Sequence, residues 1–457
     1  MPGTRPSTLV VNEARAEAEL VLRELGRKHP EIADPSTVIA ADDAMFAFAL
    51  RSCRGVASAA RLEYFASAAA GYRLAAGVLS ALPVDAPVLD FGCGHGRVTR
   101  LLASAMGAGS RPNRLWATEA DPDGVAFVRD VLGVAAFSSP LDPADFNPPA
   151  GVPQRFGLIL AYSVLSHLPL HRWGAWMRRW LDLLQPGGLL VASVLPDDTL
   201  LPGRTMPDSG FHFEAMSESR ALDLDDYGTA WVTESFVTDA LREATGGRAR
   251  SRRLRRRLWH LQDVYLVAID DAGARALDAL TDRADAQHLL DPGPAGRLER
   301  VELFPAHAPE RLHLSGWASA GRGRHPATLE VTLGDGAPSR RVDAVAETSG
   351  PRPDAARLLG IDPGSPLGFE LTLDAANHTM AVEPSTPMRI VARDPATGVG
   401  HPLWLGPIES ASLACALQRT ADERDAARDA LAIVEASGFG RLRRQWMRWK
   451  QKMGFPR

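Results

Sequence analysis

The 457-residue chain has little cysteine and no long apolar stretch. Its three cysteines, Cys53, Cys93 and Cys415, lie far apart and lack metal-ligand spacing, so the sequence excludes a disulfide-stapled scaffold and predicts a reducing compartment. No run approaches the roughly 18 apolar residues that a membrane-spanning helix needs. The first residues also lack the apolar segment of a signal peptide. We therefore expect a cytoplasmic protein, and we expect it to bind no metal.

The net charge of the chain is also small for its length. The formal net charge of -4 gives no overall attraction for nucleic acid, and we expect no nucleic-acid partner.

The length predicts more than one domain. The pattern divides into an N-terminal helical segment, alternating strands and helices, a Pro/Gly-containing linker, short strands typical of a β-sandwich, and a helical basic tail. These segments are 1–58, 59–271, 272–297, 298–408 and 409–457.

The most informative motif is VLDFGCGHGRVTRLL at 88–102, where a short apolar strand runs into a helix. Gly92, Gly94 and Gly96 alternate, and glycine lets the backbone approach a ligand where a side chain would collide. The helix that follows presents free N–H groups and a partial positive charge. Asp90 ends the strand as an acceptor for an ammonium or hydroxyl donor. A dinucleotide fingerprint would place its third glycine at Arg97, so this loop predicts a different nucleotide cofactor.

Further motifs follow in a fixed order. A second strand ends in Glu119, whose carboxylate is placed to bind both ribose hydroxyls, with Asp121 as the competing residue. An apolar strand at 156–162 leads into SVLSHL, then a helix, then QPGGLL. Together with the glycine loop, this order resembles the class I S-adenosylmethionine-dependent methyltransferases over about residues 60–270. The chain departs from that family's pattern at Gly157, where aspartate is common.

The resemblance implies a Rossmann-like α/β fold, a mostly parallel sheet with helices on both faces. It also implies an enzyme with S-adenosylmethionine as its cofactor. The adenine amino group is assigned to Asp142 or Asp145, and the sequence does not choose between them. The cofactor-binding residues that the resemblance implies are Asp90, Gly92, Cys93, Gly94, Gly96, Glu119, Ala120, Asp142, Tyr162 and Ser163.

The acceptor side gives weaker signals, because methyl transfer depends mainly on holding the acceptor in place. His167 is the candidate general base, since it follows a strand end on the cofactor side of the sheet. A capping or packing role is its alternative. His212, Tyr227 and Trp231 lie in a long insertion, where they either bind the acceptor or anchor the loop.

Two basic segments stand out. Residues 248–257 hold seven arginines, which predict either a solvated face or a site for an anionic acceptor. In the tail, 438–457, an apolar stripe of Leu442, Trp446, Trp449 and Met453 lies on one face of a basic helix. That pattern favours an anionic membrane surface, or packing against the protein's own helices. The helix before it is a candidate for self-association as a homo-oligomer, or for a spacer.

The β-rich segment is similar to accessory domains of bacterial glycosyltransferases and polysaccharide-assembly enzymes. The similarity is carried by SGWA at 315–318, RPDAARLLG at 352–360 and GFELTL at 368–373. It implies O-methylation of a glycan or lipid-linked glycan precursor at the cytoplasmic membrane face. Two alternatives stay open: a small-molecule acceptor, or a non-catalytic cofactor-binding module that recruits partners through the β domain and tail.

Overall fold

The computed structural model describes residues 15–107, 114–217, 222–282, 291–304, 311–321, 325–334, 341–374 and 382–436. Three helices come first: α1 (Arg15–Gly26), α2 (Ala44–Ser52) and α3 (Ala57–Leu79). Helix α2 begins where it does because the Asp43 carboxylate accepts hydrogen bonds from the Met45 and Phe46 N–H groups. Helix α3 is buried along most of its length, which fits its alanine-rich sequence.

Strands and helices then alternate, and the first five strands form a parallel sheet in the order β3-β2-β1-β4-β5. Strands β1, β2 and β4 are buried on both faces, which is why they read as short continuous apolar runs, whereas β3 at the edge is only partly buried. The elements are β1 (Val88–Phe91), α4 (Thr99–Ala105), β2 (Leu115–Glu119), α5 (Pro122–Asp130), β3 (Ala135–Ser138), β4 (Phe156–Ala161), α6 (Leu170–Asp182) and β5 (Leu184–Pro196).

Beyond β5, strand β9 runs antiparallel to β5, and β8 runs antiparallel to β9. Strand β7 pairs with the last two residues of β5, and β6 pairs with β7. The predicted mostly parallel α/β sheet is therefore confirmed. These elements are β6 (Phe211–Glu214), β7 (Thr229–Val232), α7 (Glu234–Thr245), β8 (Arg250–Leu258), β9 (Gln262–Ala268) and α8 (Asp271–Asp282).

Each face of this sheet has its own core. One face packs against α3, α4 and α8, and Leu277 and Leu280 of α8 join that core. Helix α8 thus occupies the first half of the predicted linker at 272–297. The other face packs against α6 and α7, with Trp173, Trp176 and Trp180 at its centre. Both faces are covered, so the ligand-accessible part of the sheet is the edge where the parallel strands end.

Two four-stranded antiparallel sheets follow, in the orders β10-β11-β15-β14 and β13-β12-β16-β17. They share one hydrophobic core, which fits the predicted sandwich. The long helix α10 (Ile408–Ala436) comes last. The strands and the short helix are β10 (Ala295–Phe304), β11 (Arg311–Ser319), β12 (Thr328–Leu333), β13 (Val342–Glu347), β14 (Gly350–Pro351), α9 (Pro353–Leu359), β15 (Pro366–Asp374), β16 (Pro387–Arg393) and β17 (Gly400–Pro407).

One buried ion pair and one hydrogen bond join this region to the N-terminal helices. The Arg393 guanidinium lies 2.9 Å from the Glu24 carboxylate of α1 and 2.7 Å from Glu330 of β12. Arg73 of α3 donates a hydrogen bond to the carbonyl of Pro292 just before β10. The predicted amphipathic tail at 438–457 lies outside the described residues. Among the helices that are described, none has the length and hydropathy to cross a membrane.

Candidate functional site

The glycine loop between β1 and α4 adopts backbone conformations that favour glycine. Gly92, Gly94 and Gly96 have φ angles of +70°, +55° and +71°. A Cβ on Gly92 would lie 2.5 Å from the Val164 side chain, whereas a Cβ on Gly94 would meet no protein atom within 4 Å. Gly94 also lines a cleft that opens over the loop, so the absence of a side chain at this position leaves room for a ligand against the backbone.

A cleft opens over this loop at the carboxyl ends of the parallel strands. Its larger cavity holds about 980 Å³, part of it open to solvent, and a smaller cavity holds about 480 Å³. The two adjoin, since Gly92, Glu119, Leu222 and Tyr227 line both. Asp90, Cys93, Tyr162, Ser163 and His167 line the larger cavity, and Ala120 lines the smaller one. Most of the predicted site residues are therefore brought to one place.

The Glu119 carboxylate lies where the two cavities meet. One oxygen accepts hydrogen bonds from the N–H groups of Ala120 and Asp121 at 2.7 and 3.2 Å, and the other accepts from Gly94 at 2.8 Å. Burial raises the pKa of Glu119, although these three N–H groups act in the opposite direction. A carboxylate offers about four lone-pair positions, so acceptor capacity for hydroxyl groups remains.

Asp90 is the second carboxylate of the cleft, and its side chain is almost fully buried. Thr99 at the start of α4 donates a hydrogen bond to it at 2.6 Å. Burial raises the pKa of Asp90 to about 6, and the nearby charge of Glu119 adds to the rise. A desolvated carboxylate of this kind gains from a cationic partner.

Ser163 follows β4 in a left-handed conformation, with φ +59°. Its N–H donates to the Ser193 hydroxyl at 2.7 Å, and that hydroxyl donates to the Gln262 side chain at 2.6 Å. The Gln262 amide then donates back to the Ser163 hydroxyl at 2.8 Å, and Ser166 lies 3.1 Å from the same hydroxyl. Side chains from β5 and β9 thus hold the strained turn at the cleft wall.

His167 and Tyr227 stack against each other, with ring centroids 4.6 Å apart and an angle of 15° between the rings. Nδ1 of His167 lies 2.7 Å from the Gly228 carbonyl oxygen. A carbonyl only accepts, so Nδ1 carries the hydrogen, and the lone pair of the neutral ring is on Nε2. The Nε2 lone pair is the feature that proton abstraction requires.

Four predicted site residues lie apart from the cleft lining. Asp142 is exposed and caps the short turn at 143–145 through the Ala144 N–H, while Ser139, Pro140 and Leu141 line the smaller cavity. His212 contacts Glu214 at 3.1 Å, and the Trp231 ring, 5.9 Å from His212, is buried in β7. A Cβ on Gly96 would collide with Leu132, so Gly96 serves close packing beneath the loop.

Several residues that line the cleft had no local signal in the sequence. Asp43, Ala44 and Met45 cover the larger cavity from the start of α2, and Trp259 reaches it from the turn between β8 and β9. Arg97, which the sequence distinguished only as a departure from the dinucleotide pattern, also lines the larger cavity.

The arginine run at 248–257 forms most of strand β8 rather than a loop. Arg253 pairs with Asp263 at 2.6 Å and also with Glu234. Arg255 and Arg256 both pair with Asp198. Three of the seven arginines thus have acidic partners within the chain, which favours a structural role for these three over binding of an anionic acceptor.

The family model of the methyltransferase domain matches residues 64–245. That range contains both carboxylates, the glycine loop and the His167–Tyr227 stack. Residues 64–245 form an S-adenosylmethionine-dependent methyltransferase domain. The chain is an enzyme, and S-adenosylmethionine is its methyl donor. The residues present fit this cofactor, because the open side of Gly94 and the carboxylates of Asp90 and Glu119 face the same cleft.

Solved structures similar to part of this chain include the CcbJ methyltransferase of Streptomyces caelestis (18% identity, 43% of this chain and 89% of that chain, TM-score 0.32). Another is the 1,6-didemethyltoxoflavin-N1-methyltransferase of Burkholderia thailandensis (21%, 51% and 92%, TM-score 0.31). A third is DesVI of Streptomyces venezuelae (18%, 45% and 93%, TM-score 0.33). A search of curated protein sequences finds no significant match.

Proposed function

We propose that the enzyme methylates an oxygen atom of its acceptor and that His167 is the general base. S-adenosylmethionine, when bound, supplies an electrophilic methyl group. An acceptor hydroxyl must lose its proton as it is methylated, and a positioned base assists that loss. The observation that supports this role is the bond from His167 Nδ1 to the Gly228 carbonyl, because it selects the tautomer whose lone pair is on Nε2 in a residue that lines the cleft.

The cofactor placement that we propose uses the two carboxylates and the smaller cavity. Glu119 binds the ribose hydroxyls where the cavities meet, and Asp90 takes the ammonium group at the amino-acid end. The backbone of Gly92 and Gly94 lies along the ligand. The adenine ring occupies the smaller cavity, whose lining includes Ala120, Ser139, Leu141 and Val164. This division is supported by the position of Glu119, which is the one carboxylate shared by both cavities.

For the acceptor, we propose a glycan or a lipid-linked glycan precursor. Aromatic side chains suit the apolar face of a sugar ring, and both Tyr227 and Trp259 line the larger cavity. The similarity of the β-rich segment to accessory domains of polysaccharide-assembly enzymes favours the same class. A small-molecule acceptor is the second candidate, because Asp43, Ala44 and Met45 line the cavity from the N-terminal helical segment and would limit the size of the acceptor.

Labelling separates these acceptor classes. The enzyme is incubated with S-adenosylmethionine carrying a labelled methyl group and with cell-envelope glycan fractions or small-molecule extracts. We expect alkali-stable label in the glycan fraction. His167→Asn should lower transfer by about 10²–10⁴-fold, the usual contribution of a general base, with cofactor affinity unchanged. Label found in the small-molecule extract alone would reject the glycan acceptor, and an unimpaired His167→Asn variant would reject the base.

We also propose that the basic tail at 438–457 carries the enzyme to an anionic membrane surface. The support is the sequence itself, a Trp-containing apolar stripe on a basic segment. Co-sedimentation with anionic and neutral liposomes compares the full chain with a truncation after residue 437. We expect the full chain to sediment with anionic vesicles and the truncated chain to stay in the supernatant. Equal partitioning of the two would reject the membrane role.

A further inference from the structure

Arg97 has an unusual position for a charged side chain. It follows the glycine loop directly, it is half-buried, and it lines the larger cavity together with Asp90. Its Nη1 donates a hydrogen bond to the Ser67 hydroxyl at 2.9 Å. Its guanidinium lies over the Trp259 ring, 4.5 Å from the ring centroid. The side chain is therefore held in place rather than extended into solvent.

Ser67 of α3 organises this arrangement. Its hydroxyl donates to the Tyr64 carbonyl at 2.8 Å, which turns the oxygen lone pairs toward Arg97. Its own carbonyl accepts a hydrogen bond from the Trp259 indole N–H at 3.0 Å. Trp259 has a left-handed backbone, with φ +57°. One residue thus fixes both the cation and the aromatic ring beneath it, at some cost in backbone strain.

Within the described part of the chain, no carboxylate lies within 4.0 Å of the Arg97 guanidinium, and Nε and Nη2 form no hydrogen bond. The next arginine behaves differently. Arg100 donates to the carbonyls of Ser36, Val38 and Gly96, so it is satisfied by the protein itself. Burial lowers the pKa of Arg97, yet a guanidinium stays charged in proteins. A half-buried cation at a cavity wall, with N–H donors that no protein group accepts, is suited to an anionic ligand.

The same cavity offers Asp90, a buried carboxylate of opposite sign. A ligand that satisfies both must carry an anion and a cation close together, as the α-carboxylate and α-ammonium of an amino acid do. We propose that Arg97 binds the α-carboxylate at the amino-acid end of S-adenosylmethionine, with Asp90 on the ammonium group. This assignment rests on the cofactor placement proposed above and assigns Arg97 a role that its position in the sequence did not indicate.

Calorimetric titration with three ligands tests the assignment. S-adenosylmethionine and S-adenosylhomocysteine carry the α-carboxylate, and 5′-methylthioadenosine has the same adenosine and sulfur without the amino-acid end. In Arg97→Gln we expect both carboxylate ligands to bind about 10- to 100-fold more weakly, the usual effect of losing hydrogen bonds to a charged group. Binding of 5′-methylthioadenosine should change by less than about twofold, because its partners remain in place.

Two further variants sharpen the comparison. Arg97→Lys keeps the charge but loses the planar fork, so its affinity for S-adenosylmethionine should lie between those of the wild type and Arg97→Gln. Arg129→Gln removes an exposed arginine, paired with Asp130 on α5, and should leave all three affinities unchanged. Thermal unfolding of each variant checks that the fold is intact.

Three results would overturn the assignment. Unchanged binding of S-adenosylmethionine to Arg97→Gln would show that the guanidinium does not contact the carboxylate. Equal weakening of all three ligands would show that Arg97 maintains the shape of the cleft instead. A wild type that binds none of them would overturn the cofactor placement as well. These affinities do not depend on the acceptor, so a failure of the glycan proposal is a separate outcome.

Discussion

The Glu119 carboxylate accepts a hydrogen bond from the Gly94 N–H at 2.8 Å, which ties the end of β2 to the glycine loop after β1. The same carboxylate also accepts from the N–H groups of Ala120 and Asp121. Gly124 of α5 keeps this region compact, because a Cβ there would lie 2.9 Å from the Gly94 carbonyl and 3.1 Å from the Glu119 side chain. The residue proposed to bind the ribose therefore also shapes the loop that would lie along the ligand.

Replacing Glu119 should weaken cofactor binding without unfolding the domain. In Glu119→Ala we expect a loss of about 1–3 kcal/mol in the binding free energy of S-adenosylmethionine, because two hydroxyls would lose their acceptor. Calorimetric titration measures it. Asp121→Ala is the matched control, since the Asp121 carboxylate caps α5 through the Asp123 N–H and should affect melting temperature more than affinity. A larger loss of affinity in Asp121→Ala than in Glu119→Ala would assign the ribose hydroxyls to Asp121 instead.

Asp90 should make cofactor affinity depend on pH. The ammonium group of the ligand pairs with the ionised carboxylate, whose pKa in the folded protein is about 6. Below that pH the affinity for S-adenosylmethionine should fall by up to about tenfold per pH unit, because binding must displace a proton. Asp90→Asn should bind weakly at every pH, with a flatter profile. A wild-type profile that stays flat between pH 5 and pH 7 would contradict this role.

The same carboxyl predicts an effect on stability. Its pKa is about 6 in the folded chain and 3.8 when unperturbed, so between these values the folded state holds more protons than the unfolded state. The contribution of Asp90 to the unfolding free energy should therefore fall as pH rises through this window. Urea denaturation of the wild type and Asp90→Asn at pH 4 and pH 7 measures it. We expect the substitution to be more favourable at pH 7, and a larger benefit at pH 4 would contradict the raised pKa.

Substitutions at Gly96 and Gly133 should distinguish the cost of backbone strain from the cost of a steric collision. Both have positive φ angles, +71° and +68°, but a Cβ on Gly96 would strike Leu132 and Val128, whereas one on Gly133 would meet nothing within 4 Å. Gly133→Ala should cost about 1–2 kcal/mol of unfolding free energy from the left-handed backbone alone. Gly96→Ala should cost about 1–3 kcal/mol more, from overpacking. Equal losses in chemical denaturation would mean that the loop moves to accommodate the methyl group.

The ion pair between Glu24 and Arg393 should couple the β sheets to the N-terminal helices. Glu24→Ala leaves Arg393 buried with Glu330 as its remaining partner, so we expect a loss of up to about 3 kcal/mol, the lower end for a broken buried pair. Glu19→Ala breaks an exposed pair with Arg15 on the same helix and should change stability by less than about 0.5 kcal/mol. Similar values for the two variants would show that the interface does not depend on this contact.

The elements that the sequence predicted well are those whose signals are local. Strands β1, β2 and β4 lie at 88–91, 115–119 and 156–161, against predicted ranges of 88–91, 115–118 and 156–162, because a buried parallel strand is a short apolar run ended by a turn. The arginine run was harder to predict. Positions 250–257 of strand β8 are all arginine or serine apart from Leu254, and the place of this strand in the sheet depends on pairing with β9 and on acids elsewhere in the chain.

What the sequence by itself determined is the fold class and the cofactor, since the glycine loop, the acid that ends β2 twenty-three positions after Gly96 and the later motifs follow in an order that resembles a known family. Only the tertiary structure placed Asp43, Arg97 and Trp259 at one cavity, because those contacts join residues up to about two hundred positions apart. It also placed Asp142 and His212 away from the cleft lining. The local pattern of a segment indicates which of its faces is buried, whereas its long-range side-chain contacts form only when distant segments of the chain pack together.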